Sequence, residues 1–310
     1  MRIGIDLGGT TVKAALCTED GTLLCKDSLP TQTGNAAGLK ADMKTLALSL
    51  CRAHNCAVED VTAIGIGVPG SFDKKTCTLR FGTNLGLNNV SFADAFLPEF
   101  GCPVHLDNDA NCAALGEATA GAAKGTRNML MVTLGTGVGG GIIIDEKIIA
   151  GKHGLGGEIG HIHVRDEEWE HCNCGGVGCV EQIASATGIA REARRRMAAE
   201  ETPSALRQYG DDVTAKDVLD AAKAGDELAL SVVETVGRYL GLTLATIAMT
   251  VDPQMFVIGG GVSKAGQFLI DIIDKYYQHY TPISENKGII GLAKLGNDAG
   301  IYGAARLVLD

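Results

Sequence analysis

Residues 108–118 read NDANCAALGEA, and residues 297–307 read NDAGIYGAARL. Each stretch opens with the same Asn-Asp-Ala triplet and continues as a run of small residues that predicts a helix. Each also follows a glycine-rich segment in its own half of the chain, DLGGT at 6–10 and LGTGVGGG at 134–141. Because a repeated order of motifs is typical of a duplicated unit, the pattern predicts two related halves. Asn and Asp are preferred helix caps, so chance recurrence of the triplet is the alternative.

Strand and helix patterns alternate along the chain around these two stretches. Period-two alternation and short buried apolar runs predict strands, and apolar residues at helical spacing predict helices. The predicted strands are 2–5, 11–17, 22–28, 61–68, 104–106, 128–134, 140–144, 147–150, 255–258 and 288–294. The predicted helices are 39–54, 108–118, a basic helix around 191–196, 215–224, 226–251, 262–279 and 299–309. The alternation predicts an α/β fold, here a duplicated one with a cleft between two domains.

The same motifs suggest where the domains begin and end. We expect a small N-terminal α/β domain of residues 1–116, closed by the C-terminal helix of residues 297–310. A large α/β domain of residues 117–296 is expected to carry a cysteine-rich segment at 156–181. The second half of the chain is longer than the first, and this segment with the helices after it accounts for the extra length as an insertion.

Composition and charge limit the classes of function. The chain has 310 residues, 45% of them hydrophobic, and a net charge of -10. Nucleic-acid binding is not expected, because such proteins usually carry a basic face that offsets phosphate charge. We expect no membrane span, since the best apolar window, 239–251, is too short. The opening MRIGIDLGG resembles a strand and not a targeting signal, so a cytoplasmic location with reduced cysteines is expected.

The cysteine-rich segment combines metal-binding residues with carboxylates. It reads GGEIGHIHVRDEEWEHCNCGGVGCVE over residues 156–181. Three thiolates and one imidazole are the donor set of a closed structural zinc site, because four protein ligands leave no position for water. The predicted ligands are His161, Cys172, Cys174 and Cys179. His163 and His171 are rival ligands, but His163 is expected to point to the opposite face of its strand and His171 abuts Cys172 too closely.

Glycine-rich turns in both halves predict contacts with phosphate. Glycines let backbone N–H groups approach an anion closely, and threonine hydroxyls add donors. Two such hairpins and a third glycine turn suit the binding of one nucleotide triphosphate, although each alone is also an ordinary turn. Neither hairpin has the Gly-Lys-Ser/Thr ending of a P-loop. The predicted nucleotide contacts are Asp6 (near the metal ion that accompanies a phosphate), Gly8, Gly9, Thr10, Thr11, Lys13, Gly135, Thr136, Gly137, Gly139, Gly260 and Gly261.

The order of these motifs along the whole chain resembles the ROK family of sugar kinases and repressors, which belongs to the actin-like ATPase superfamily. The motifs in order are DLGGT, NDAN, LGTGVGGG, GGEIGH, CxCGxxGCxE, IGGGVS and NDAG. The cysteine block and the GGEIGH before it are the most specific of these. The resemblance implies a duplicated actin-like (ribonuclease H-like) ATPase fold with a zinc-containing insertion. VPGSFD at 68–73, TNLG at 83–86 and EQIASATGI at 181–189 are most similar to the bacterial glucokinases of the family.

The resemblance also implies a role for single residues. Asp109 resembles the general base that takes the proton from the attacking sugar hydroxyl, while Asn108 is expected to cap the helix and contact the sugar. Glu158, His161 and Glu181 resemble the contacts with sugar hydroxyls, and His161 would also bind zinc. Asn84 and the turn at Gly70 are expected to complete the sugar pocket.

The implied activity is ATP-dependent phosphorylation of a hexose, with glucose expected as the substrate and glucose 6-phosphate as the product. N-acetylmannosamine kinase, or kinase activity on another hexose, remains open as an alternative. A sugar-sensing regulator is a further alternative, and such regulators carry a DNA-binding domain in front of the first phosphate hairpin. The resemblance implies a homodimer or homotetramer.

Overall fold

The computed structural model describes residues 1–307, and the chain divides into two compact units. The first unit contains Met1–Gly125, Glu146–Ile148 and the stretch that begins at Leu295. The second contains Thr126–Asp145 and Ile149–Lys294. Each unit is built around its own apolar core of aliphatic side chains.

Thirteen strands and nine α-helices are numbered here in chain order, within the part of the chain that the structure describes. The strands are β1 (Arg2–Leu7), β2 (Thr11–Cys17), β3 (Leu23–Pro30), β4 (Ala63–Val68), β5 (Ser71–Asp73), β6 (Thr78–Gly82), β7 (Leu87–Ser91), β8 (Val104–Asn108), β9 (Met129–Leu134), β10 (Val138–Ile144), β11 (Lys147–Ile148), β12 (Met255–Gly259) and β13 (Ile289–Leu292). The helices are α1 (Ala36–Ala53), α2 (Ala93–Phe100), α3 (Asp109–Thr119), α4 (Glu181–Ala184), α5 (Ala186–Ala199), α6 (Ala215–Lys223), α7 (Glu227–Val251), α8 (Gln267–Tyr280) and α9 (Ala299–Arg306).

Two five-stranded sheets have the same strand order. The first runs β3-β2-β1-β4-β8 and the second β11-β10-β9-β12-β13. In the first sheet, β1 and β2 form an antiparallel hairpin, and β4 and β8 join it in parallel. In the second sheet, β9 and β10 form the antiparallel hairpin, and β12 and β13 join it in parallel. This repeated mixed α/β topology confirms the duplication that the motif order predicts, and it is consistent with the actin-like ATPase fold.

Helices α3 and α9, which carry the repeated triplet, pack together in the first unit with close backbone contact. A Cβ atom on Gly116 would lie 2.2 Å from the carbonyl oxygen of Ala299, and one on Gly303 would lie 1.6 Å from that of Cys112. Both distances are far below van der Waals contact, so only glycine fits at either position. The small residues of the repeated stretches therefore serve helix packing.

Helix α7 is the central helix of the second unit. By length and composition alone, this helix could cross a membrane. The prediction that no apolar stretch is long enough for a span is therefore wrong as far as length and composition go. In the structure, 61% of its most apolar window is buried. Val232, Val236, Leu240 and Leu244 contribute to the apolar core of this unit, which explains the apolar composition by packing.

Several elements differ from the sequence prediction. The strands β5, β6 and β7, which form a separate antiparallel sheet, and helix α2 were not predicted. The single helix predicted over 262–279 is interrupted, because Gly266 has a φ of 74° between a short 3₁₀ turn and α8. The helix predicted over 299–309 is observed as α9 up to Arg306, and its last two residues lie outside the described part of the chain.

Candidate functional site

The first glycine hairpin is a tight turn between β1 and β2. The Gly8 N–H donates to the Thr11 carbonyl at 3.0 Å, and the Gly8 carbonyl accepts from the Thr31 hydroxyl at 2.7 Å. A Cβ atom on Gly9 would lie 3.7 Å from Cβ of Asn84. The structure thus brings Asn84, a predicted sugar contact, beside the predicted phosphate turn.

Asp6 lies at the end of β1 beside the first turn of α9. Its carboxylate occupies the space that glycine leaves at position 300, where a Cβ atom would come within 2.7 Å of Asp6 Cγ. Burial raises the pKa of Asp6, and the charge of Lys13 on the neighbouring strand opposes that rise. Lys13 donates from Nζ to the Asn297 carbonyl at 2.7 Å. A bound cation would favour the ionised carboxylate in the same way as Lys13.

The N-terminus of α3 places Asn108 and Asp109 in different roles. Asn108 caps the helix, because its side-chain oxygen accepts from the N–H groups of Ala110 and Asn111 at 2.8 and 3.4 Å. Asp109 is exposed on the first turn, and its Oδ1 accepts from the Ala110 N–H at 2.8 Å. The positive end of the helix dipole favours a negative charge at this position. The predicted preference for Asn108 as the cap is confirmed.

Gly70 closes the turn that leads into β5. Its φ is 104°, and a Cβ atom there would lie 2.3 Å from the Phe81 carbonyl oxygen. Glycine is therefore required at this turn for both conformation and space. Gly70 directly precedes β5, and Asn84 lies in the short 3₁₀ turn between β6 and β7 of the same small sheet.

In the second unit, the four predicted metal ligands come together. One ligand atom from each of His161, Cys172, Cys174 and Cys179 can be chosen so that all lie within 4.8 Å of one another. Cys174 Sγ lies 3.7 Å from Cys179 Sγ, and Cys172 Sγ lies 3.7 Å from His161 Nδ1. A tetrahedral zinc ion with Zn–S bonds of about 2.3 Å separates its sulfur ligands by about 3.8 Å. The donor types and their spacing therefore fit zinc.

The thiols of this cluster have different surroundings. Burial raises the pKa of Cys172, and it raises that of Cys179 to about 12. The N–H of Gly176 donates to Cys174 Sγ at 3.4 Å and lowers the pKa of that thiol. A metal ion favours the thiolates by direct coordination.

The rival histidines make other contacts. His163 has Nδ1 at 2.6 Å from the Val177 carbonyl and Nε2 at 2.8 Å from Asp166. His171 has Nδ1 at 3.3 Å from the Gly175 carbonyl. Neither belongs to the group of four, as predicted.

The predicted sugar contacts of the second unit surround this cluster. The ring of His161 has Nδ1 toward Cys172, while its Nε2 lies 3.9 Å from Glu158 Oε2. Glu181 has Oε1 at 3.8 Å from Cys172 Sγ, and its Oε2 accepts from the Val138 N–H at 2.9 Å. The structure thus gathers all three residues in one place, with the two ring nitrogens of His161 facing different groups.

The second glycine hairpin joins β9 to β10 and is braced by the start of α5. Gly135 N–H donates to the Gly137 carbonyl at 3.0 Å, and the Gly135 carbonyl accepts from the Ala186 N–H at 2.8 Å. The carbonyl of Thr136 accepts from the Thr187 hydroxyl at 3.1 Å. The N-terminus of α5 thus supports this turn.

The third glycine turn, Gly260-Gly261, lies against the same hairpin. Gly260 has a φ of 86°, and a Cβ atom there would lie 2.4 Å from the Leu134 carbonyl oxygen. Gly139 lies in β10 opposite Thr133. All the ATP contacts predicted for the second unit are therefore close together in it.

Sequence reasoning did not single out two polar residues of the first unit, Asp107 and Lys74. Asp107 is fully buried and forms an ion pair with Lys74. The signal in the sequence is weak: an acidic residue directly precedes Asn108, and Lys74 lies in a turn with no motif of its own.

Comparison with known proteins covers nearly the whole chain. The model of the ROK family matches residues 2–310. A glucokinase of Halalkalibacterium halodurans is 42% identical over 313 residues, which cover 99% of this chain and 94% of that protein. A ROK hexokinase of Thermus thermophilus has a TM-score of 0.85 at 30% identity, covering 98% and 96% of the two chains. A ROK family glucokinase of Streptomyces griseus, solved with glucose and AMPPNP, has a TM-score of 0.77 at 35% identity and covers 99% and 98%. This chain belongs to the ROK family.

Proposed function

We propose that this protein is an ATP-dependent sugar kinase that converts glucose to glucose 6-phosphate. The observation that carries the proposal is 42% identity to a glucokinase along nearly the whole of both chains. The clustering of the Glu158 and Glu181 carboxylates beside His161 supports it, because charged acceptors suit sugar hydroxyls.

Asp109 is the proposed general base. In the reaction, the oxygen of the sugar 6-hydroxyl forms a bond to the γ-phosphorus of ATP, and the bond from that phosphorus to the β,γ-bridging oxygen breaks. The hydroxyl proton goes to the Asp109 carboxylate, and ADP leaves. Exposure of Asp109 on the first turn of α3 supports the role, since a base must reach its substrate.

The sugar is proposed to bind residues of both units. The Glu158 and Glu181 carboxylates accept hydrogen bonds from its hydroxyls and the Nε2–H of His161 donates one, while Asn84, Asn108 and the turn at Gly70 contact it from the other domain. The domains in this proposal are residues 1–116 with 297–310, and residues 117–296.

ATP is proposed to bind at the glycine turns of both units. Backbone N–H groups at Gly8, Gly9, Gly135 and Gly137 would contact the phosphates, with Thr10, Thr11, Lys13 and Thr136 as side-chain donors. Gly139, Gly260 and Gly261 leave room for the nucleotide. Mg²⁺ would neutralise the phosphate charge, and Asp6 is the residue that would lie near it.

Zinc is proposed as a structural ion held by His161, Cys172, Cys174 and Cys179. Bound there, zinc would fix the loop that presents the sugar-binding carboxylates. We also propose a homodimer or homotetramer and a cytoplasmic location, where ATP and free sugar are both available.

A substrate panel tests the proposal. Purified protein is assayed with ATP and Mg²⁺ on glucose, mannose, fructose, N-acetylmannosamine and N-acetylglucosamine, and ADP release is followed. The highest kcat/KM is expected with glucose. A clear preference for N-acetylmannosamine would assign that substrate instead, and no turnover on any sugar would contradict the kinase proposal.

A further inference from the structure

The buried carboxylate of Asp107 organises the turn that carries Asn108 and Asp109. Asp107 is the residue before the helix cap, and its side chain is fully buried. Its Oδ1 accepts from the Asn108 N–H at 2.7 Å and from the Asn111 side-chain amide at 2.8 Å. These two donors lie on either side of Asp109 in the sequence. The carboxylate therefore fixes the backbone of the turn from which Asp109 projects.

The other oxygen of Asp107 connects this turn to the small sheet. Oδ2 forms an ion pair with the ammonium of Lys74, whose side chain is half exposed. Lys74 lies in the turn between β5 and β6, which Asp73 stabilises by accepting from the Lys75 N–H at 3.0 Å. In the small sheet of β5, β6 and β7, Gly70 directly precedes β5 and Asn84 lies in the turn between β6 and β7.

A second contact joins the same hairpin to β8. The Cys77 thiol donates to the Val104 carbonyl at 2.8 Å in a buried position. Val104 begins β8 and Asp107 lies near its end, so the hairpin is attached at two points along this strand. If the Lys74 ion pair is lost, the Cys77 hydrogen bond still attaches the β5–β6 hairpin to β8. The orientation of the hairpin relative to β8 is then less fixed, because one of the two attachments is missing.

We infer that Asp107 is a positioning residue, whose carboxylate holds the Asn108-Asp109 turn and, through Lys74, the β5–β6 hairpin in one arrangement. A fully buried carboxylate is costly unless it is paired, and here two hydrogen-bond donors on one oxygen and the Lys74 ammonium beside the other come from two separate parts of the first unit. Both parts carry residues assigned to the sugar in the proposed function, on which this inference rests. Small displacements of positioned groups lower rates steeply.

Substitution at Lys74 is the main test, because this half-exposed side chain can change without opening the core. Lys74→Met is expected to lower kcat/KM for glucose by about 10- to 100-fold, through a higher KM for glucose and a lower kcat. The KM for ATP and the zinc content should stay within twofold. Lys74→Arg should restore most of the loss, since it keeps the positive charge.

Lys75→Met is the matched control, because Lys75 is the exposed neighbour in the same turn and lies outside the proposed machinery. Its kinetics should equal those of the wild type. Asp107→Asn provides a second variant that keeps the side-chain shape, and it should show the same rise in glucose KM. The inference is overturned if Lys74→Met keeps both glucose constants within twofold, or if only its melting temperature changes. If the wild-type protein phosphorylates no sugar, the proposed function fails instead.

Discussion

The carboxylate of Glu181 accepts a hydrogen bond from the Val138 backbone N–H at 2.9 Å, which joins the cysteine cluster to the second glycine hairpin. Its other oxygen lies 3.8 Å from Cys172 Sγ. A Cβ atom on Gly137 would lie 2.3 Å from Glu181 Oε2. One side chain thus lies between the proposed zinc site and the proposed phosphate turn, and glycine at 137 leaves the space that it occupies.

Gly137→Ala should destabilise the protein because the new methyl group would displace the Glu181 carboxylate. The displaced carboxylate would lose its hydrogen bond from the Val138 N–H, which costs about 1 to 3 kcal/mol, and urea unfolding measures this loss. The double-mutant cycle isolates the cause. In a Glu181→Ala background the carboxylate is absent, so Gly137→Ala should cost much less. An equal cost in both backgrounds would show that the clash is not responsible.

Removal of the metal should affect sugar binding before nucleotide binding. Cys174→Ser is expected to lower the zinc content from about one ion per chain to near zero, as measured by metal analysis of the purified protein. Glucose KM should rise by at least about tenfold, because the zinc ligands directly hold the residues proposed to bind the sugar. ATP KM should rise less, because the cluster contacts the glycine hairpin indirectly, through Glu181. Cys56→Ser, outside the cluster, is the control and should keep its zinc. Loss of ATP binding before glucose binding would contradict this order.

The sequence predicts the duplicated sheets and the ligand cluster because both depend on short-range patterns. Alternation and glycine turns specify the hairpin of β1 and β2, whose observed β2 has the predicted bounds of Thr11–Cys17. The spacing of cysteines in one loop predicts the metal ligands that the structure brings together. In each case, residues near in sequence are also near in space.

Features that depend on distant contacts could not be predicted. The strands β5, β6 and β7 are short and partly exposed, so their alternation is weak, and they depend on contacts such as that of Cys77 with Val104. The repeated Asn-Asp-Ala triplet is a second example. Asp109 is the first residue of α3, after the cap Asn108, whereas the matching Asp298 occupies the N-cap position of α9, makes no side-chain cap hydrogen bond and pairs with Lys26. Matching residues of the two triplets therefore have different places because their neighbours differ.

This difference within the repeat gives a matched test of the general base. Asp109→Asn should lower kcat by about 10²- to 10⁴-fold, with little change in stability because the side chain is exposed. Asp298→Asn makes the same change in the second triplet and should keep kcat within twofold. Initial rates at saturating glucose and ATP measure both variants. Near-normal turnover of folded Asp109→Asn would refute the assignment.

An ion-pair network beside the cysteine cluster predicts a pH-dependent contribution to stability. The Glu168 side chain is fully buried and receives two hydrogen bonds from Arg195, both at 2.8 Å. The hydrogen bonds from Arg195 lower the pKa of Glu168 from 4.5 to about 2. The other charged groups of the network are Arg165, Arg191, Glu170 and Glu192.

Because the folded-state pKa of Glu168 is lowered, its ionised form stabilises the protein above pH 4.5, and this contribution is lost as the pH falls toward about 2. Glu168→Gln should therefore be less stable than the wild type at pH 7, by about 1 to 3 kcal/mol, and the difference should shrink at acid pH. Urea unfolding across this range measures it. Glu167→Gln changes an exposed neighbour and should follow the wild type at each pH. A difference for Glu168→Gln that stays constant from pH 7 down to pH 3 would mean that the ionisation of Glu168 does not contribute to stability.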